Sequence, residues 1–211
     1  MNFFRNLFKE LSGYRSICET INKKITPVSV TGLSHIHRAN LVYALTEDKI
    51  NIVITGSEAE ARRICEDINM MSGKETAVLF PSKELVFTSV DTANHEYEHM
   101  RISALSKVLN HSSGVICASA ESVMQPTIPI DKLISATIEI STGSEIDTTD
   151  FIKKLINNGY QRCEKVEGAS QFSVRGSIID VFPVQTEKPV RIELWGDKID
   201  TISYFETDTQ R

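Results

Sequence analysis

The first 125 residues alternate short apolar runs with amphipathic segments of helical length, and this alternation constrains the fold more than any other feature. The runs at residues 28–31, 50–55, 76–80 and 115–119 have the length and composition of buried strands. Residues 39–44, 58–71 and 95–109 have helical spacing, and residues 85–88 are a further possible strand. Buried strands that alternate with helices predict a parallel sheet covered on both faces, the doubly wound α/β class typical of the nucleotide-binding half of a helicase.

The pattern changes after Pro126 and Pro129. Residues 133–140 alternate in hydrophobicity, and residues 147–157 are predicted to be a helix capped by Thr148 or Thr149. Short strands follow as far as the last residues. We therefore expect two domains, an α/β domain at residues 1–125 and a smaller α+β domain at residues 126–211.

The composition favours a folded protein with little direct affinity for DNA. Hydrophobic residues make up 41% of the chain, charged residues 24%, and the net charge is −5 with lysine and arginine scattered. The four cysteines lack the paired spacing of a zinc site or a disulfide framework, which predicts reduced thiols in a cytoplasmic protein. No run approaches the roughly 20 apolar residues of a membrane span. The first eleven residues predict a short amphipathic helix.

A nucleotide site is expected after the first predicted strand, but the residues there do not suit one. A phosphate-binding loop needs glycines, a lysine for the phosphate charge and a hydroxyl for Mg²⁺. Aligned on Gly32, this chain has His37 for the second glycine, Arg38 for the lysine and Ala39 for the hydroxyl residue. Alanine cannot bind a metal, and arginine is a poor replacement for the compact lysine ammonium. The sequence predicts a degenerate loop, and a plain turn between strand and helix predicts the same inactivity.

A second motif points to a different class of protein. Residues 95–99 read HEYEH and satisfy the zinc-peptidase pattern, with Glu121 as a conceivable third ligand. Against this, His95 and His99 lie at the start of an ordinary crossover helix whose apolar residues face the sheet. His35 and His37 form only a weak metal pair. We expect no metal and no cofactor.

Short strands separated by turn residues fill the last 40 residues. Residues 172–183 read FSVRGSIIDVFP, and residues 190–197 read VRIELWGD. Arg175 lies inside the first phrase, before Gly176, where an arginine needs a partner or solvent. An arginine in a salt bridge at the edge of a strand is the simplest interpretation.

The same residues carry a family resemblance. From GYQRCEKVEGASQFSVRGSIIDVFP through VRIELWGDKIDTISYFETDTQR, the chain resembles the UvrB-like module at the N-terminus of the bacterial transcription-repair coupling factors. The resemblance implies that the first domain is helicase-like with a degenerate loop, and that the outer face of the second binds UvrA. It also implies that the chain is part of a longer protein, in which other domains bind RNA polymerase and DNA.

The resemblance assigns residues as well. Arg162 and Arg175 match arginines of the UvrA-facing surface in UvrB, and Phe172 is an aromatic anchor beside them or a core residue. Ser173 departs from the pattern, because UvrB has a further arginine there. We expect a non-catalytic recruitment module. The alternatives are a UvrB-type helicase-like NTPase subunit and a zinc metallopeptidase using His95 and His99.

Overall fold

The computed structural model describes residues 3–46, 49–83, 96–110 and 113–210. The chain divides into two compact units, Met1–Thr127 and Ile128–Arg211. Within the described residues, no helix has both the length and the apolar character needed to cross a bilayer.

The first unit contains six helices and three strands among its described residues. In chain order they are α1 (Phe3–Lys9), α2 (Ser12–Asn22), α3 (His35–Leu45), β1 (Ile50–Thr55), α4 (Glu58–Ser72), β2 (Ala77–Phe80), α5 (Glu96–Leu109), β3 (Gly114–Ser119) and α6 (Ala120–Met124). Helix α1 agrees with the predicted amphipathic segment, whereas the sequence pattern did not single out α2.

The three strands form a parallel sheet in the order β1-β3-β2. Helices cover both faces of this sheet. On one face, Ile64 and Ile68 of α4 pack with Leu79 of β2. On the other, Ala104 of α5 packs with Ile116 of β3. The α/β class with a parallel sheet is therefore confirmed.

Strand β1 lies at one edge of the sheet, and its burial is incomplete. Its inward residues pack under α4, but Ile52 and Ile54 are 63% and 59% exposed. Both pair in register with buried residues of β3, Ile116 and Ala118. The apolar run that predicted a fully buried strand therefore marks a strand with one open apolar face.

The predicted strand at residues 28–31 is wrong. Residues 25–31 form neither helix nor strand, and all of them except Val28 are exposed. An apolar run becomes a strand only where a neighbouring strand supplies hydrogen bonds and a core covers one face, and this segment has neither. The possible strand at residues 85–88 lies outside the described residues.

The second unit contains α7 (Ile130–Ala136), α8 (Thr148–Asn157) and five strands. The strands are β4 (Gln161–Arg162), β5 (Gln171–Arg175), β6 (Ile178–Val181), β7 (Val190–Trp195) and β8 (Lys198–Tyr204). They form one mixed sheet in chain order, parallel between β4 and β5 and antiparallel elsewhere. Phe151 and Leu155 of α8 pack on one face of this sheet and close a separate core.

One local prediction for this unit needs correction. The side chain of Asp147, and not of Thr148 or Thr149, caps α8 by accepting hydrogen bonds from the backbone N–H groups of Thr149 and Asp150. The alternating residues 133–140 are divided between α7, which ends at Ala136, and an irregular segment. Asp147 directly precedes the helix, where its carboxylate can accept from the free backbone N–H groups of the first turn, whereas Thr148 and Thr149 already lie within the helix.

Candidate functional site

The register of β5, β6 and β7 separates their side chains into an inner and an outer face. Phe172, Ile179 and Ile192 belong to the inner face, where they pack against α8. Phe172 is fully buried, with 0% of its surface exposed. This is the core position that the sequence left open as an alternative, and Phe172 cannot contact a partner in this structure.

A buried carboxylate lies at the centre of the outer face. Asp180 of β6 is 1% exposed and accepts hydrogen bonds from two arginines. Arg175 Nη2 donates to Asp180 Oδ2 at 2.6 Å. Arg191 donates from Nε to Oδ1 at 2.7 Å and from Nη2 to Oδ2 at 2.9 Å. This cluster of Arg175, Asp180 and Arg191, the arginine cluster below, has two cations and one anion.

Arg191 is the more firmly held of the two arginines. Its guanidinium lies over the ring of Phe205 at 4.7 Å, and Nη1 donates to the carbonyl of Gln210 at 3.1 Å. The hydrogen bonds to Asp180 raise the pKa of Arg191 above its ordinary value although burial opposes the shift. Arg191 therefore neutralises Asp180 inside the domain.

Arg175 differs from Arg191 because 47% of its side chain remains exposed. It ends β5, and Gly176 at φ 58° begins the turn into β6. The hydrogen bond to Asp180 fixes the guanidinium at this turn while the exposed part of the group faces solvent. Arg175 can therefore form the salt bridge with Asp180 and still contact a partner.

The structure does not bring Arg162 and Arg175 onto one face. Arg162 is exposed on the edge strand β4 and lies opposite Phe172 in the parallel register. Paired residues project to the same side of a sheet, so Arg162 takes the inward direction of Phe172 at the open edge. Arg175, three residues beyond Phe172, projects outward. Ser173, where UvrB has an arginine, is 1% exposed beside Asp180.

The predicted degenerate nucleotide loop does not have the geometry of one. Gly32 has a φ of 79° and precedes α3, but no strand leads into it. His37 Nδ1 lies 2.9 Å from the hydroxyl oxygen of Ser34, and Arg38 pairs with Glu60 at 3.3 Å. Ala39 is fully buried in the core that α4 forms with the sheet. The prediction of strand, turn and helix around Gly32 is therefore wrong.

The true connection from the first strand to a helix is Gly56 and Ser57, between β1 and α4. The Ser57 hydroxyl oxygen caps the helix by accepting from the backbone N–H of Glu60. Glu58 Oε2 accepts from both the backbone N–H and the hydroxyl of Ser82, each at 2.8 Å. Phosphates bind helix N-termini through free N–H groups and positive charge, and this terminus carries two glutamates of its own.

The metal motif gains no support from the described residues. His95 lies outside them, and His99 and Glu121 are on α5 and α6. No group of three His, Cys, Asp or Glu side chains within the described ranges could hold a metal ion.

Sequence reasoning missed three residues of the outer face, namely Asp180, Arg191 and Trp195. Asp180 could have been found, because an acid within the apolar run IIDV must be buried with a cationic partner. Arg191 is one of several arginines near the C-terminus, and only the strand register selects it. Trp195 was passed over as a strand residue, yet it is 84% exposed.

Comparison with known proteins agrees with the resemblance. Residues 138–211 match the family model described as the UvrB interaction domain. Over its whole length the chain is 26% identical to the transcription-repair-coupling factor of Bacillus subtilis (strain 168) and 27% identical to that of Staphylococcus aureus (strain MSSA476). It spans 18% of the length of each relative. The similarity to the coupling factors and to the UvrB interaction domain is therefore confirmed.

Proposed function

We propose, from this similarity, that the chain is a recruitment module of transcription-coupled DNA repair that binds UvrA through its second unit. In the longer protein, RNA polymerase and DNA would be bound by other parts, so that UvrA brings excision repair to a stalled polymerase. We further propose that the module itself is not catalytic, since its most organised polar site is an arginine cluster and not an acid, base or nucleophile set.

The observation that carries this proposal is that Asp180 holds Arg175 in place while about half of the Arg175 side chain stays exposed. Arginine is frequent among the residues that dominate binding energy, because its planar group forms several charge-assisted hydrogen bonds at once. Asp180 restrains Arg175 before any partner arrives, which reduces the conformational entropy lost on binding. Arg191 already neutralises Asp180, so the charge of Arg175 remains available to a carboxylate of UvrA.

We assign Arg162 a smaller contribution to UvrA binding than Arg175. It lies on the edge strand β4, and only a UvrA surface that wraps around this edge could contact it together with Arg175. We therefore expect Arg162→Ala to weaken binding less than Arg175→Ala.

The test is the affinity of UvrA for purified variants, measured by biolayer interferometry. Arg175→Ala should weaken binding by about 2 kcal/mol, the loss typical of a dominant interface arginine. Arg62→Ala is the matched control, because Arg62 is likewise paired with a carboxylate, that of Glu58, and its side chain is 48% exposed, but it lies in the first unit. Affinity that is unchanged in Arg175→Ala, Arg162→Ala and the double variant would refute the proposal.

A further inference from the structure

The outer face of the second unit has an exposed aromatic residue that the resemblance does not assign. Trp195 ends β7 and is 84% exposed, while its neighbour Leu194 is buried in the inner core. Side chains alternate along a strand, so Trp195 projects to the outer face together with Glu193. An indole with this exposure leaves a large apolar area in water, and tryptophan is among the residues most enriched at binding hot spots.

The strand register places Trp195 near the arginine cluster. Arg175 pairs with Ile178, which pairs with Glu193, so these three residues form one row across β5, β6 and β7. Trp195 follows two residues after Glu193. With strands about 4.8 Å apart and a rise of about 3.3 Å per residue, its Cα lies about 12 Å from that of Arg175.

Two turns hold the pair at one end of the sheet. Arg175 precedes the turn from β5 to β6, and Trp195 precedes the turn from β7 to β8, where Gly196 has a φ of 63°. The backbone N–H of Leu194 donates to the carbonyl of Ser177 at 2.9 Å and ties the two turns together. The side chains of Arg175 and Trp195 therefore extend from two turns that a backbone hydrogen bond connects.

We propose that Trp195 is the aromatic anchor of the UvrA contact and acts together with Arg175, in the role that the buried Phe172 cannot fill. This inference rests on the proposed function and specifies its chemistry. The UvrA surface would present a carboxylate to Arg175 and an apolar recess to Trp195. Each partner buries roughly 800 Å² in a standard interface, a patch about 30 Å across, so two residues about 12 Å apart fit within it.

Trp195 is also the only tryptophan of the chain, so any tryptophan signal comes from this residue alone. The chain labelled with 5-fluorotryptophan gives a single ¹⁹F resonance, whose position and solvent-isotope shift measure exposure of the indole. Addition of unlabelled UvrA should shift this resonance and remove the isotope effect. The same titration of labelled Arg175→Ala should require a higher UvrA concentration.

Variants complete the test. Trp195→Ala should weaken UvrA binding about tenfold or more, the effect of losing an interface anchor, and Trp195→Phe should recover part of the loss. Tyr204→Ala is the matched control, because Tyr204 is an aromatic residue that is 66% exposed but pairs with Val190 and so belongs to the inner face. Circular dichroism verifies that each variant is folded.

The outcomes separate the two proposals. If the unmodified chain binds UvrA while Trp195→Ala binds equally well and the ¹⁹F resonance stays solvent-exposed, the anchor role is overturned and the proposed function stands. If the unmodified chain does not bind UvrA, both are overturned. Equal losses in Trp195→Ala and Tyr204→Ala would also overturn the assignment to the outer face.

Discussion

Asp180 depends unequally on its two arginines. Arg191 supplies two hydrogen bonds, and its side chain is only 18% exposed. Arg175 supplies one hydrogen bond from a half-exposed position. A buried charge without a partner destabilises a protein strongly, whereas an exposed ion pair contributes little. The two arginines should therefore separate into one that stabilises the domain and one that is available for binding.

Arg191→Ala should lower the free energy of unfolding by about 3 kcal/mol, since Asp180 would retain only the Arg175 contact. Arg175→Ala should lower it by less than about 1 kcal/mol, because both hydrogen bonds from Arg191 remain. Urea denaturation followed by circular dichroism measures both losses at neutral pH. Equal losses would show that Arg175 is as structural as Arg191 and would weaken the case for its role in UvrA binding.

Arg101 is a second buried arginine, but its partners are backbone carbonyls. It is 2% exposed, and its Nη1 donates to Pro81 at 2.7 Å and to Ser122 at 3.2 Å. Nη2 donates to Pro126 at 3.4 Å, and the guanidinium lies 4.0 Å from the ring centroid of Phe80. Burial lowers the pKa of Arg101 below its ordinary value. The side chain therefore joins β2, α6 and the segment after α6.

Arg101→Met should destabilise the first unit by about 2 to 4 kcal/mol, because it keeps much of the side-chain volume but leaves buried carbonyls without donors. Thermal unfolding followed by differential scanning calorimetry measures the loss. Arg63→Ala is the control, since Arg63 is exposed on α4 and should change stability little. A loss no greater than that of the control would contradict the bridging role.

At the scale of secondary structure, an ionised carboxylate joins the start of α4 to the segment after β2. Burial of Glu58 favours its neutral form, but hydrogen bonds from the backbone N–H and hydroxyl of Ser82 and from Arg62 outweigh burial. The pKa of Glu58 in the folded chain is therefore lower than its ordinary value. A lowered folded pKa contributes stability above the unfolded pKa, and this contribution is lost as pH falls through the folded pKa.

Glu58→Gln should therefore be less stable than the unmodified chain at neutral pH, and the difference should shrink as pH falls below about 4, near the ordinary glutamate pKa. Melting temperatures of both proteins across the acidic range measure this convergence. Glu66→Gln is the control, because Glu66 is exposed on the same helix. A stability difference that stays constant with pH would contradict an ionised Glu58 at this connection.

The same elements show why sequence predicted much of the fold and missed part of it. Residues 50–55 and 58–71 were predicted as strand and helix, and β1 and α4 occupy almost the same residues. Both have strong local signals, with Ser57 as helix cap and Gly73 at the end of the helix. Residues 28–31 (VSVT) alternate like a strand, but within the described residues no strand lies beside them. Strand pairing depends on residues distant in sequence, which the local pattern does not reveal. Because the pattern predicted residues 28–31 as the first strand, it also predicted the nucleotide loop at Gly32.

The site was less predictable than the fold. Arg175 could be singled out because a polar residue in an apolar phrase needs an explanation. The different roles of Arg175 and Arg191 could not be predicted, because they depend on which strands pair and in which register. Burial of Phe172 and exposure of Trp195 follow instead from the alternation along each strand, because Phe172 is in phase with Val174 whereas Trp195 is out of phase with Ile192 and Leu194.

At the scale of the whole molecule, each unit has its own core, and neither presents a nucleotide site among the described residues. We expect no Mg²⁺-dependent binding of ATP by isothermal titration calorimetry and no hydrolysis above background. The N-terminus of α4 repels phosphate through Glu58 and Glu60, and Arg38 is engaged by Glu60. Arg38→Lys should not restore binding. ATP binding that requires Mg²⁺ would move the UvrB-type NTPase alternative to first place.

The open edge of β1 favours association between copies of this chain. Within the described residues, β1 has a neighbouring strand on one side only, and Ile52 and Ile54 are exposed beside its free backbone groups. Two molecules that meet at this edge would gain both hydrogen bonds and apolar contact. Their net charge of −5 keeps them apart, but at 0.1 M salt this repulsion reaches only about 10 Å. We therefore expect association of the chain through the β1 edge to increase as ionic strength rises.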